Sequence, residues 1–218
     1  MIDRYEWLSR LASKITDDAL VMSTIIGAVA FEWSALTKEH PRTCFLGQMG
    51  DVIAMAIGLA MALPHRKVVC IDADGSVLLE LGQLVTLGQE APRNLAIFVA
   101  DNQVYESIGT TKGAQPRPTA TAMKADLAAL ALASGVPYAK NVNTLDEFER
   151  ELSLVFSELG CRFINVRTNI GRANAPCRQI DGFEDKYRFV RYVEHLEKMT
   201  IMTRAMQDKR LVAKPGSH

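Results

Sequence analysis

Val68-Val69-Cys70-Ile71-Asp72-Ala73-Asp74-Gly75-Ser76 and Ala96-Ile97-Phe98-Val99-Ala100-Asp101-Asn102-Gln103-Val104-Tyr105 decide how this chain folds. Each begins as an unbroken apolar run and ends in acids or amides, and a helical, amphipathic segment over residues 77–90 separates them. Apolar runs without polar alternation suit strands covered on both faces of a parallel sheet. A strand–helix–strand unit with polar groups at both strand ends sets those groups over one edge of the sheet.

The alternation continues on either side. Leu20-Val21-Met22, Cys44-Phe45-Leu46 and residues 138–142 and 162–166 read as four more strands. Helices are predicted over 2–15, 27–36, 51–63, 126–134 and 145–159. The expected architecture is a three-layer α/β/α fold around a mostly parallel sheet of about six strands with right-handed crossovers. Residues 52–63 form the longest apolar run, too short to span a bilayer, and read as a buried helix. Residues 101–121 form a long polar loop of the kind that carries function. A charged helix over 183–199 presents Tyr187, Val190, Val193 and Leu196. The expected division is a main domain over 1–180, a helical extension over 181–208 and a disordered tail over 209–218. No internal repeat or low-complexity segment occurs.

The 218 residues suffice for one packed domain and a tail. Twenty-five basic and 25 acidic residues cancel, so neither a nucleic-acid nor a membrane partner is implied. Cys44, Cys70 and Cys161 fall in or beside apolar runs and, with Cys177, form no CxxC pair; reduced structural thiols are expected. The opening Met1-Ile2-Asp3-Arg4-Tyr5-Glu6 has no signal-peptide character, and a cytoplasmic location is expected. His40, His65 and His195 lack metal or triad spacing and read as surface or packing residues. No GxGxxG follows an early strand, which disfavours a nicotinamide site.

Three polar features converge over the strand ends: Gly47-Gln48-Met49-Gly50, residues 72–76 and residues 101–105. Gly75-Ser76 opens a helix, so free backbone N–H groups and the positive dipole end suit a phosphate. Asp74 beside them suits a hard cation such as Mg²⁺, with Asn102 offering a neutral oxygen and a backbone carbonyl completing the set. Taken singly, Asp-Gly-Ser is a turn and cap and Asp-Asn is a turn. On adjacent strand ends, the combination is much more specific.

Asp74-Gly75-Ser76, followed by Asn102, resembles the thiamin-diphosphate motif that begins Gly-Asp-Gly and closes with Asn-Asn. Ala73 stands in place of the first Gly and Asp101 in place of the first Asn. The resemblance implies metal ligation by Asp74, Asn102 and the Val104 carbonyl, and diphosphate contact at Gly75 and Ser76. Gly47-Gln48-Met49-Gly50 is similar to the segment that meets the aminopyrimidine ring. Gly47 would accept from the ring amino group, and Met49 would hold the cofactor bent. Tyr105-Glu106-Ser107-Ile108-Gly109 and Gln115-Pro116 resemble the loop of sulfopyruvate and phosphonopyruvate decarboxylases, as does Tyr187-Arg188-Phe189. Tyr105 and Ile108 thus join the expected cofactor-binding residues. The resemblance covers roughly residues 1–195 and implies a lyase subunit of the 2-oxo acid decarboxylase family, in the form of a separate small subunit.

In that family a glutamate from a pyrimidine-binding domain activates the cofactor. None of Glu32, Glu80 and Glu106 matches it, and Glu32 reads as a surface helix residue. The expectation is a pyrimidine-binding partner subunit that supplies the glutamate, in a hetero-oligomer with an even number of chains. A small anionic 2-oxo acid needs a basic contact, for which Lys112, Arg117 and Arg42 are candidates. Carboligase chemistry, a ferredoxin-linked oxidoreductase subunit and a non-catalytic partner subunit are the competing readings. Scattered cysteines disfavour the second of these.

Overall fold

The apolar runs form strands because a helical layer meets each of their faces. A computed structural model describes residues 1–24, 27–106, 115–178 and 180–202. Six strands, β1 (Leu20–Thr24), β2 (Thr43–Leu46), β3 (Val68–Ala73), β4 (Leu95–Asp101), β7 (Ala139–Val142) and β8 (Arg162–Arg167), make one sheet in the order β2-β1-β3-β4-β8-β7. Every pairing in it is parallel. Along β4, Leu95, Ile97 and Val99 enter one core, while Ala96, Phe98 and Ala100 enter the other. That alternation between two dry faces is why no polar residue interrupts the strand.

Helices α1 (Arg4–Lys14), α2 (Gly27–Thr37) and α7 (Leu145–Ser157) cover one face. There Trp7, Phe98 and Phe148 meet at centroid separations of 5.5–6.4 Å, contacts worth ~1 kcal/mol each beyond burial. Helices α3 (Val52–Ala62), α5 (Gly82–Glu90), α6 (Leu127–Ala133) and α8 (Gly182–Glu197) cover the other. Helix α7 starts on a reciprocal capping box between Thr144 and Glu147. Helix α8 lies along the exposed edge of β2, where the Asp185 carboxylate accepts the Phe45 N–H at 2.7 Å. It therefore blunts a strand edge that would otherwise invite pairing.

Five expectations are corrected. Residues 77–90 do not form one helix: α4 (Asp74–Leu79) ends at Glu80, whose backbone leaves the helical region, and α5 starts at Gly82. The break re-aims the chain so that Gln83 reaches α3, where its Oε1 accepts the Ala54 N–H at 3.2 Å. Residues 101–121 are not all loop. Strand β4 runs through Asp101, and β5 (Val104–Tyr105) pairs antiparallel with β6 (Arg117–Pro118) before a 3-10 turn over Ala120–Ala122. Glu32 is not a surface residue but 1% exposed, because Arg4 pairs with it. Arg42 is likewise buried, held by Asp17, His40 and the Thr16 carbonyl at the amino end of the sheet, away from the strand tips. Finally, α3 is buried on one side only: Met55 and Met61 are 53% and 51% exposed, since no described element covers them.

Cys44, Cys70 and Cys161 are buried free thiols, as expected, and Cys177 is exposed. On α8, Phe189 and Val193 are buried, while Tyr187 faces out. His40 meets the Tyr192 ring edge-on, and His65 lies 2.9 Å from Glu197. Lys112 and the tail over 209–218 lie outside the described residues. Among the described residues no helix is long and apolar enough to cross a membrane.

Candidate functional site

Strands β1, β3 and β4 all end on the same edge, and the chain leaves each tip through polar or small residues. A cleft opens there, and Met49, Asp74, Gly75, Asn102, Val104 and Tyr105 line it. Ser76 lines it too. Of the residues expected from sequence, Gly47 and Gln48 stand exposed and do not line the cleft, and Ile108 lies outside the described residues.

Asp74 opens α4 and is 1% exposed. Its Oδ2 lies 2.6 Å from the Thr119 hydroxyl and 3.1 Å from that of Thr121. Burial pushes its carboxyl up to about 6; the Thr119 hydrogen bond opposes the shift and the Asp101 charge adds to it. No cation pairs with Asp74 among the described residues. Asp101, equally buried, is treated differently. Arg167 Nη1 sits 3.0 Å from it, and Thr121 and Asn165 each donate to it at 2.8 Å. The departure from Asn at this position is therefore balanced by an arginine on β8.

Asn102 follows β4, and its amide is fixed at both ends. Oδ1 accepts the Val104 N–H at 3.1 Å, and Nδ2 donates to Glu106 Oε2 at 3.0 Å. Gln103 between them adopts φ +66°, which turns the chain back toward the cleft. Gly75 has no side chain for a steric reason. A Cβ there would lie 2.6 Å from the Tyr105 ring, so the ring and the start of α4 form one wall.

The Ser76 side chain is used up within the fold. Its hydroxyl donates to Asp72 at 3.0 Å and accepts the Gly50 N–H at 2.9 Å. Only its backbone N–H remains for a ligand. The bond pins the segment after β2 to β3, which holds Met49 at the cleft. Asp72 is fully buried, and desolvation pushes its carboxyl up to about 7 despite the Ser76 and Ala73 hydrogen bonds. Because α4 is only six residues long, its dipole is small. An anion here would depend on nearby N–H groups rather than on a long helix.

Sequence reading missed Arg4, Glu106, Thr119 and Thr121 as parts of this site, and placed Asp72 over the strand ends without giving it a role. Asp72 carried a signal, an acid inside an apolar strand. The pattern Thr119-Ala120-Thr121 carried a weaker one, and Arg4 none, since its partners lie 28 and 102 positions away.

Comparison with known proteins bears on the same residues. Residues 23–166 match the family model described as "Thiamine pyrophosphate enzyme, C-terminal TPP binding domain". The sulfopyruvate decarboxylase subunit beta of Methanothermobacter thermautotrophicus is 32% identical over 194 residues, covering 88% of this chain and 96% of that one. The same-named subunit of Methanococcus maripaludis is 28% identical over 193 residues, 88% of this chain and 98% of its own. Phosphonopyruvate decarboxylase of Streptomyces viridochromogenes is 33% identical over 164 residues, which is 75% of this chain but 39% of that protein. A solved Mycobacterium smegmatis structure, described as "a putative thiamin diphosphate-dependent enzyme", superposes with a TM-score of 0.61 at 19% identity. It covers 78% of this chain and 32% of that one, and supports the fold alone. With the family model spanning most of the chain, from the end of β1 almost to the end of β8, this chain belongs to the thiamine pyrophosphate enzyme family.

Proposed function

We propose that the chain is the diphosphate- and Mg²⁺-binding subunit of a heteromeric thiamin-diphosphate-dependent decarboxylase that acts on a small anionic 2-oxo acid. The observation that carries the reading is Asp74, a buried carboxylate on the cleft whose hydrogen-bond donors are all neutral. A buried charge without a partner is unfavourable, and Asp74 with the Asn102 amide and the Val104 carbonyl forms an oxygen-only donor set suited to Mg²⁺. The residues present thus fit the metal and the cofactor's diphosphate. Backbone N–H groups at Gly75 and Ser76 would meet the phosphates. Met49 would pack against the cofactor's bend, and the Gly47 carbonyl would accept from its ring amino group.

Thiamin diphosphate, when bound, supplies a nucleophilic thiazolium carbon and an electron sink for decarboxylation. The chain's own residues position it. Tyr105 and Gly75 wall the cleft, and the Ser76–Asp72 pair fixes the Met49 segment. None of the three glutamates weighed from sequence is available to activate the cofactor ring. Glu32 is tied to Arg4 and the Ala173 N–H, Glu106 to Asn102, Arg4 and the Gly171 N–H, and Glu80 lies beyond the cleft lining. A partner subunit with a pyrimidine-binding domain would provide the glutamate, in a hetero-oligomer with an even number of chains. The "subunit beta" names of the relatives support that division of labour.

Among the described residues Arg4 is the one cation lining the cleft, and two carboxylates saturate it. A sulfonate or phosphonate would therefore be met by the partner, or by Lys112 and Arg117 on the segment that follows Tyr105. Co-expression with the partner subunit, followed by assay of sulfopyruvate, phosphonopyruvate and plain 2-oxo acids, tests the reading. CO₂ release from one anionic 2-oxo acid that requires both chains is expected. Equal turnover by this chain alone would overturn the division of labour.

A further inference from the structure

One carboxylate gathers three elements beside the cleft without any role so far. Glu106 Oε2 lies 3.0 Å from Asn102 Nδ2 and 3.2 Å from Arg4 Nη1, and its Oε1 accepts the Gly171 N–H at 2.9 Å. All three contacts come from donors, so only an acceptor with two free ends satisfies them, which is what a carboxylate offers. Arg4 is itself nearly buried. Its Nε donates to Glu32 at 2.9 Å, its Nη2 donates to the Gly171 carbonyl, and Glu32 accepts the Ala173 N–H at 2.9 Å. The start of α1, the segment after β8 and the end of β5 thus meet on one pair of carboxylates.

We propose that Glu106 is a positioning residue for the cofactor's metal, acting through Asn102; the inference rests on the cofactor reading given above. An amide can present either its oxygen or its nitrogen. A Mg²⁺ ion needs the oxygen. The Val104 N–H can only donate and so selects Oδ1 on one side, and Glu106 can only accept and so selects Nδ2 on the other. Both choices turn the amide the same way. A carbonyl oxygen carries two lone pairs, so Oδ1 keeps one for the metal while accepting from Val104. The charge balance agrees. Arg4 with Glu32 and Glu106 carries one net negative charge, which favours a nearby cation. Arg4 and the Gly171 N–H hold Glu106 in place, so the chain's first helix and the segment after its last strand take part in setting the metal ligand.

Partners behind metal ligands typically change metal affinity by about 10–100-fold. The test is calorimetric titration of the full chain, alone and assembled with its partner subunit, with thiamin diphosphate at saturating Mg²⁺. Glu106→Ala is expected to raise the Kd at least tenfold. Glu106→Gln, which keeps the shape but turns a donor toward a donor, is expected to raise it less. Asn102→Ala should weaken binding as well, and adding Glu106→Ala to it should change nothing further, because the two act as one unit. A merely structural role for Glu106 predicts additive effects instead. Unaltered affinity in both Glu106 variants, or additivity in the double variant, overturns the inference and leaves the cofactor reading standing. Absence of Mg²⁺-dependent binding by the unaltered chain in both forms overturns the cofactor reading, and this inference with it.

Discussion

Asp74 and Asp101 show how burial alone fails to define a role at the scale of single residues. Both are within 1% of complete burial, yet Arg167 balances Asp101 while Asp74 meets only hydroxyls and an N–H. Removing Arg167 would strand a buried carboxylate. Arg167→Ala is therefore expected to destabilise the fold by about 3 kcal/mol, near the lower end for a broken buried pair because the arginine is partly exposed; urea denaturation reads this directly. Asp74→Ala should do the reverse, abolishing Mg²⁺-dependent cofactor binding while the thermal midpoint holds; a collapsed fold would make Asp74 structural. Away from the site, Lys67 has its amine pushed down to about 8, first by burial and then by Arg162. Below pH 8 both the folded and unfolded chains carry this proton, and the folded one does so at a cost. Between about 8 and 10.5 the folded state sheds it first, so the cost fades as pH rises. Lys67→Met should accordingly raise the thermal midpoint at pH 7 and lose that advantage by pH 10.5. An advantage that grew with pH would contradict the assignment.

At the scale of elements, what the sequence revealed follows from what periodicity can encode. Strands β3 and β4 were legible because two helical layers force every position to be apolar, and Asp74 and Asn102 because they stand where those runs stop. The break between α4 and α5 left only Gly82 as a trace: Glu80 and Leu81 are good helix formers, and the demand that Gln83 reach the first turn of α3 is a tertiary one. The Arg4–Glu32–Glu106 group escaped for a related reason, since pairs so distant in sequence leave no local pattern. Thr119 and Thr121 were hidden in what read as loop, and only the pairing of β5 with β6 brings their hydroxyls to Asp74. One close contact between elements makes a sharp prediction. A Cβ on Gly88 of α5 would sit 2.0 Å from the Ser134 carbonyl oxygen at the end of α6. Gly88→Ala must separate the two helices, although alanine is the better helix former by ~1 kcal/mol. A net loss of about 2 kcal/mol is expected, typical of overpacking, and denaturation followed by circular dichroism would show it. A stabilised variant would mean that the helices can slide apart freely.

On the scale of the whole molecule, α3 is the element that this chain leaves unfinished. Its sequence, Val52-Ile53-Ala54-Met55-Ala56-Ile57-Gly58-Leu59-Ala60-Met61-Ala62, is apolar all round, a pattern that belongs to helices covered on every side. Val52, Ile53, Ala56, Ile57 and Ala60 are buried by the chain's own core, but Met55 and Met61 are not. Leu79 of α4 and Val85 of α5, 58% and 59% exposed, extend the apolar character onto the neighbouring helices. Single exposed apolar residues are unremarkable, whereas several on adjoining helices signal a partner surface. These helices also carry the cleft: α3 follows the Met49 segment and α4 begins with Asp74. A pyrimidine-binding subunit seated on them would bring its glutamate close to the cleft. The proposed assembly thus predicts that Met55→Glu combined with Val85→Glu abolishes co-purification of the partner and, with it, decarboxylation. Mg²⁺-dependent thiamin diphosphate binding by the chain itself should survive in part, because Asp74, Asn102 and Glu106 are untouched. If the doubly charged variant still assembled and turned over substrate normally, the partner would have to approach from another face, and the exposed side of α3 would need a different explanation.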